Sequence, residues 1–215
     1  MRFLSLFLAL TLIGGPSLYA ADPTSLTLKD FTSLKGEAPG TGWVEKNGVI
    51  HRADKAGDIM TKETYTSFEL EWEWKISNAG NSGVKYWLDQ VKGKGWLGVE
   101  YQILDDEKHP DGSKGIDGNR KTGSFYDIKP AASDKPINPP GEWNTSKIVV
   151  KGTELKHYLN GKLVVEADTA SDDWKAHIAA SKFKGIEGFA AGKGHIMLQD
   201  HNDEVWFRNL RITKL

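Results

Sequence analysis

Residues 68–76 read FELEWEWKI. Phe68, Leu70, Trp72, Trp74 and Ile76 alternate with Glu69, Glu71, Glu73 and Lys75. A period of two places the five apolar side chains on one face of a β-strand and the four charges on the other. Such a strand needs an apolar partner layer on one side only. Val99, Tyr101 and Ile103 alternate with Glu100 and Gln102 in the same way, and Val84, Tyr86 and Leu88 alternate with Lys85 and Trp87. These three segments are expected to be neighbours in one sheet, whose outer face would carry Glu73, Lys85, Glu100 and Gln102.

Outward from this stretch, short alternating segments are separated by clusters of Gly, Asn, Asp and Pro. That is the pattern of an all-β sandwich or barrel. Asn160-Gly161 predicts a type I′ hairpin turn, with Leu159 facing Lys162, because both central residues need positive φ. In the last strand the apolar phase is Val205 and Phe207, then Leu210 and Ile212. The change of phase predicts a β-bulge near Arg208-Asn209. Ser171 or Asp172 caps one short helical turn running through Trp174 to Ile178. Residues 105–142 are rich in Asp, Gly, Lys and Pro, and a long irregular segment in a compact domain marks either function or disorder.

The chain has 215 residues, 39% of them hydrophobic. That suits one domain with a substantial core. Residues 1–20 read as a signal peptide: Arg2 supplies the charge, Phe3 to Ile13 is an apolar run, and Ala20 is a small residue at the cut. Residues 21–215 would then form a single exported domain, periplasmic or secreted, with no membrane span once the signal is removed. The run is too short for a spanning helix. There is no cysteine, so neither a disulfide nor a cysteine-linked lipid is available. The net charge of −1 and the scattered Lys and Arg are not the footprint of a nucleic-acid binder. No GxSxG, P-loop or dinucleotide fingerprint occurs, so no organic cofactor is expected.

Eight tryptophans and six tyrosines are many for this length, and flat aromatic faces stack on sugar rings. Strand phase assigns Trp72 and Trp74 to the core. Trp87, Trp96 and Trp143 fall off the apolar phase or in loops and are candidates for lining a ligand site. His157, in a strand near the hairpin, reads as structural. His109 follows Asp105-Asp106-Glu107, and His201 lies between Asp200 and Asn202-Asp203. Imidazole and carboxylate in such clusters suit a divalent ion.

Five segments together carry a resemblance: FELEWEWKISNAGNSGVKYWL (68–88), GVEYQILDDEKH (98–109), GEWNTSKIVVKG (141–152), HYLNGKLVVE (157–166) and GHIMLQDHNDEVWFRNLRI (194–212). The chain resembles the bacterial 3-keto-disaccharide hydrolase domain family over about residues 26–214. Asn202 stands where members often have Gly, and Asn also tolerates positive φ. The resemblance implies a two-sheet jelly roll similar to the concanavalin-A-like lectins and glucanases. It also implies an oxidised, 3-keto glycoside as substrate, cleaved by elimination and hydration. A C3 ketone acidifies the C2 hydrogen; a base removes it, and a cation or metal ion steadies the enolate. Within the matching motifs Glu73, Glu100, Asp105 and His201 are the candidate catalytic residues, with Glu100 or His201 as base. Asn81, Lys85, Trp87, Gln102, Tyr126 and Gln199 are the candidate substrate contacts. Asp105, His109 and His201 are the candidate metal ligands, the ion's identity being open. The alternative reading is a non-catalytic lectin-like binder, since the fold hosts both. A glucanase-type glycosidase is disfavoured, because Glu69, Glu71 and Glu73 have the wrong spacing.

Overall fold

The computed structural model describes residues 22–215; the signal expected over residues 1–20 lies outside them. Along the described chain run β1 (Thr24–Ser25), β2 (Phe31–Ser33), β3 (Trp43–Lys46), β4 (Val49–Arg52), β5 (Ile59–Thr61), β6 (Phe68–Ile76), β7 (Asn81–Val91) and β8 (Gly95–Leu104). They continue with β9 (Asn144–Lys151), β10 (Glu154–Leu159), β11 (Lys162–Asp168), α1 (Asp172–Ala180), β12 (His195–Leu198) and β13 (Val205–Lys214). The larger antiparallel sheet has the order β11-β10-β9-β6-β13-β4-β3, with β1 alongside β13. The smaller has the order β2-β5-β12-β7-β8.

The inner faces are the apolar phases of the strands. Phe68, Leu70, Trp72, Trp74 and Ile76 are all buried, and so are Val84, Tyr86, Val99, Tyr101 and Ile103. The sheets meet through edge-on aromatic pairs, Trp72 with Tyr101 at 5.1 Å and Phe68 with Tyr86 at 6.0 Å. Such pairs add about 1 kcal/mol each beyond the area they bury. Trp72 Nε1 is buried without a hydrogen-bond partner, but other polar tips inside the core are satisfied. Ser146 Oγ accepts from Trp74 Nε1 at 2.8 Å and bonds Tyr101 Oη at 2.8 Å. His157 Nδ1 donates to Gly123 O at 2.9 Å, so its Nε2 accepts from Tyr86 Oη at 3.1 Å. Burial, opposed by the Gly123 bond, pushes the His157 pKa down to about 3. The ring is a neutral structural brace, as its strand position predicts.

Local signals are borne out. Asn160 and Gly161 have φ of 45° and 82° at the β10–β11 turn, and Leu159 pairs with Lys162. The register of β13 shifts between Arg208 and Arg211, with Asn209 at φ 52°. Ser171 Oγ accepts from Trp174 N at the start of α1, and Trp174 is buried.

One expectation is corrected. β6 does not neighbour β7 and β8; it lies in the facing sheet. Both inner faces of a sandwich are apolar, so alternation alone cannot separate a neighbouring strand from a facing one. The consequence is that Glu73 points away from Lys85, Glu100 and Gln102, on the opposite exterior.

Candidate functional site

Residues paired across neighbouring strands share a face. On the exterior of the smaller sheet this makes two rows. One is Met60–Met197–Lys85–Glu100, across β5, β12, β7 and β8. The next is Gln199–Gly83–Gln102, where Gln199 N donates to Gly83 O at 3.0 Å. Asp58 continues that row on the β5 side: its Oδ1 accepts from Asp200 N at 2.9 Å.

Lys85 Nζ stands 3.7 Å from Glu100 Oε2, and Glu100 is only 5% exposed. Gly83 makes this arrangement fit. A Cβ there would lie 2.5 Å from Glu100 Oε1, so the missing side chain is the space into which the carboxylate folds. Gln102 Nε2 donates to Asn81 Oδ1 at 3.4 Å. The Oε1 atoms of Gln102 and Gln199 are buried with no hydrogen-bond partner. An unpaired buried acceptor costs about 1–3 kcal/mol, and here both lie on one face beside a charged pair. A ligand bearing hydroxyl donors would satisfy them.

At the Asn81 end, His109, His201 and Asp203 each bring a ligand atom within 4.8 Å of the others. Asp203 Oδ2 also accepts from Asn81 N at 3.0 Å, and Asp111 N donates to His109 Nδ1 at 3.1 Å. Two imidazoles and a carboxylate fit a borderline divalent ion. Asp105 is corrected out of this set. Both of its oxygens accept from backbone N–H groups, those of Ala79, Glu107 and Lys108, so it closes a turn, and it is not part of the His109–His201–Asp203 group.

The irregular segment 105–142 is an ordered wall along the β8 edge. Tyr126 N donates to Glu100 O at 3.1 Å, and Tyr126 Oη donates to Asp111 Oδ2 at 2.7 Å. Arg120 ties Asp111 and Asp127 together at 3.2 and 2.6 Å. Lys182, which follows α1, lays its ammonium 4.1 Å over the Tyr126 ring, while Asp127 Oδ2 accepts from Lys182 N at 2.8 Å. Packing around the ammonium lowers the Lys182 pKa; Glu100 opposes this and Lys85 reinforces it. Lys182 is exposed as a residue, so solvent tempers the effect. Asp58 is pushed up from the ordinary carboxylate value, by burial first, against the Asp200 hydrogen bond and the attraction of Lys85.

Thus Asn81, Lys85, Glu100, Gln102, Tyr126, Gln199, His109 and His201 gather around one face, and, besides Asp105, the candidates Glu73, Trp87 and Trp143 do not. Glu73 accepts from Arg208 at 2.6 and 2.8 Å and from Asn209 on the far exterior. Trp87 sits at φ 49° in a β7 bulge that breaks the register between Tyr86 and Asp89. The extra residue turns Trp87 into the core, where it is 2% exposed and donates to Thr66 O at 2.9 Å, and turns Leu88 outward. Trp143 stacks under Arg208 on the larger sheet, 4.0 Å from the guanidinium. The sequence reading missed Asp58 and Lys182, which have no motif around them. Asp203 was visible only as part of the acidic cluster at His201.

Cavities elsewhere carry less chemistry. A cleft of about 550 Å³ beside residues 112–121 is lined by Lys114, Lys121, Lys135, Asp106 and Asp117, and Lys135 already pairs with Asp106 at 2.9 Å.

Among described residues no helix is long and apolar enough to cross a membrane. The chain is 36% identical over 181 residues to a Bacteroides thetaiotaomicron protein named 3-keto-disaccharide hydrolase, covering 74% of this chain and 62% of that relative. It therefore spans less than two thirds of the relative's length. A solved protein from Parabacteroides distasonis is 31% identical with a TM-score of 0.78, covering 87% of this chain and 89% of the other. A Bacillus subtilis protein with a galectin-like fold, 12% identical with a TM-score of 0.50 over 87% and 90% of the two chains, shares the fold alone. Residues 24–213 match the model of the 3-keto-alpha-glucoside-1,2-lyase-like domain, and the chain belongs to that family.

Proposed function

We propose that this protein is an enzyme cleaving 3-keto-glycosides by C2 deprotonation and elimination, with hydration completing a net hydrolysis. The observation that carries this reading is the Lys85–Glu100 pair beside the two orphaned amide oxygens of Gln102 and Gln199. The amides take hydroxyl donors of the sugar. Glu100 takes the C2 proton, and the electron pair left behind delocalises onto the C3 oxygen, next to the Lys85 ammonium. Collapse of that enolate restores the ketone, forms the C1–C2 double bond and expels the oxygen at C1, which collects a proton. Water then adds across the double bond. Asp58, whose raised pKa favours the protonated carboxyl, is a proton source on the opposite side of the face from Glu100. An ion held by His109, His201 and Asp203 would act as a Lewis acid toward the developing oxyanion. Residues 1–20 direct export in this reading, and N-terminal sequencing of the mature protein checks it.

The test is incubation with a 3-keto-glycoside in deuterated water, with and without a chelator. We expect release of the group at C1, deuterium at C2 in recovered substrate, and a rate that falls when the chelator is present. Cleavage of the unoxidised glycoside at a similar rate would overturn the elimination mechanism. Sugar binding without turnover of either form would establish the lectin-like alternative.

A further inference from the structure

The face that carries Lys85 and Glu100 changes character along its length. Following β8 on its outward phase, the residues are Gln102, Glu100, Gly98 and Trp96. The first two belong to the polar site. Beyond them lies an apolar cluster of Met60, Leu88 and Met197, all buried, covered by the half-buried Leu34 and Trp96. It is separate from the core between the sheets, and Met60 and Met197 stand in the same cross-strand row as Lys85 and Glu100. The bulge at Trp87 creates it, because it turns Leu88 outward to join the two methionines.

Two details make this end of the face a built surface. Trp96 is braced edge-on by His195 at 5.8 Å, and the His195 ring is itself fixed by Thr61 O at 2.7 Å. Between Trp96 and Glu100 stands Gly98. A Cβ there would meet Tyr86 O at 2.7 Å and the Leu88 Cα at 3.0 Å, so the bulged β7 main chain packs directly against Gly98 and no side chain stands between Trp96 and Glu100. Four residues of extended strand separate Trp96 from Glu100, about 13 Å between Cα atoms. That stretch, a shelf floored by main chain, is long enough for a second ring beside the one over Lys85 and Glu100.

We propose that Trp96, with Leu34 and the flat main chain at Gly98, forms a leaving-group subsite that takes an aromatic aglycone. The inference rests on the proposed placement of the keto sugar over Lys85 and Glu100. The chemistry of the shelf selects the occupant. A hexose could lay its C–H face on Trp96, but its rim hydroxyls would find no hydrogen-bond partner on Leu34 or on the apolar cluster beneath. An aryl group needs none and gains by stacking on the indole. The polar end of the face, with its unpaired amide oxygens, already provides for the sugar.

Three proteins are compared: wild type, Trp96→Ala and Trp96→Leu. Leucine still covers Leu88 and Met197 but has no flat face, so it separates stacking from folding should the alanine variant be unstable. The substrates are the 3-keto forms of phenyl and methyl glucoside. We expect either variant to raise KM about tenfold for the phenyl compound, corresponding to about 1.4 kcal/mol of lost stacking, with less than about twofold change for the methyl compound. Equal losses on both substrates, or Trp96→Leu behaving as wild type on the phenyl compound, would overturn the subsite. Binding of unoxidised phenyl and methyl glucoside, followed by ligand-observed NMR, separates the two proposals. If wild type turns over neither keto-glycoside yet prefers phenyl glucoside in a Trp96-dependent way, the subsite stands and the elimination reading falls. Turnover with no such preference in binding or KM removes the subsite alone.

Discussion

On the exterior of the larger sheet, Glu73 gives one oxygen to Arg208 and the other to Asn209. On the exterior of the smaller sheet, Glu100 meets Lys85 only at 3.7 Å, and the neighbouring Gln102 and Gln199 leave buried oxygens unpaired. The first exterior is saturated with its own partners: Lys75 lies over both Trp143 and Trp206, His51 stacks on Trp206 at 4.5 Å, and Glu71 faces Lys147. Its charges pair across strands as on any solvated sheet. The second exterior buries polar atoms without completing them, which costs stability and is the mark of a surface made for something else. A carboxylate on an alternating strand is thus not informative by its phase. What distinguishes Glu100 from Glu73 is whether the neighbours have left it room and partners to spare.

The comparison breaks most sharply in a pair of isosteric variants. Glu100→Gln removes the proposed base and should lower turnover of a 3-keto-glycoside by about 10² to 10⁴. Glu73→Gln should change it by less than about twofold. Steady-state kinetics on both proteins decides; a comparable loss in Glu73→Gln would mean that the larger sheet contributes to the site.

A smaller effect is expected from Gly83→Ala. The added methyl would collide with Glu100 Oε1, the free end of a flexible side chain, so the fold should tolerate it. The carboxylate must swing aside, and misplacing a catalytic group by about 1 Å costs up to about 100-fold. We expect kcat to fall by 10- to 100-fold, on the order set by that displacement, with the thermal midpoint changed by less than about 3 °C. Unchanged kcat would show that Glu100 does not need its present position.

How much of this was legible in the sequence follows from what a period of two can encode. It marks Trp72 and Trp74 as core and Glu100 and Gln102 as exterior, and the Asn160-Gly161 turn and the Asn209 bulge follow from backbone chemistry near those residues. It does not encode which sheet a strand joins, so Glu73 was grouped with Glu100. Nor does it reveal the bulge at Trp87, where a bulky residue takes a φ that sequence rules reserve for Gly or Asn. Asp105 looked like a metal ligand because an acidic run precedes His109; the turn that consumes its oxygens is a matter of loop geometry. Asp58 and Lys182 reach the site from distant loops, and only the folded chain brings them there.

The finest contrast between the exteriors is in how each carboxylate couples to pH. Burial tends to raise the Glu73 pKa, but the bonds from Asn209 and Arg208 prevail and hold it below the ordinary value. Its charged form therefore favours the fold; that stabilisation is complete above the unfolded pKa and is lost as pH falls through the folded one. Asp58 runs the other way. Its folded pKa is raised, so its protonated form favours the fold, a contribution present below the unfolded value and lost as pH rises through the folded one. At neutral pH Glu73 is an asset to stability and Asp58 a liability kept for the site. Glu73→Gln should lower the thermal midpoint at pH 7 by a few degrees, about what the loss of 1 kcal/mol does in a domain this size, and the deficit should shrink as pH falls below the ordinary carboxylate range. Asp58→Asn keeps an acceptor for Asp200 N and removes the buried charge, so it should raise the midpoint at pH 7 by a similar amount, with the gain vanishing at low pH. Melting curves of wild type and both variants from pH 3 to 8 test the pair together. Slopes of the same sign would mean that the two exteriors carry charge in the same way, and the distinction drawn between Glu73 and the Lys85–Glu100 face would then rest on the unpaired amides alone.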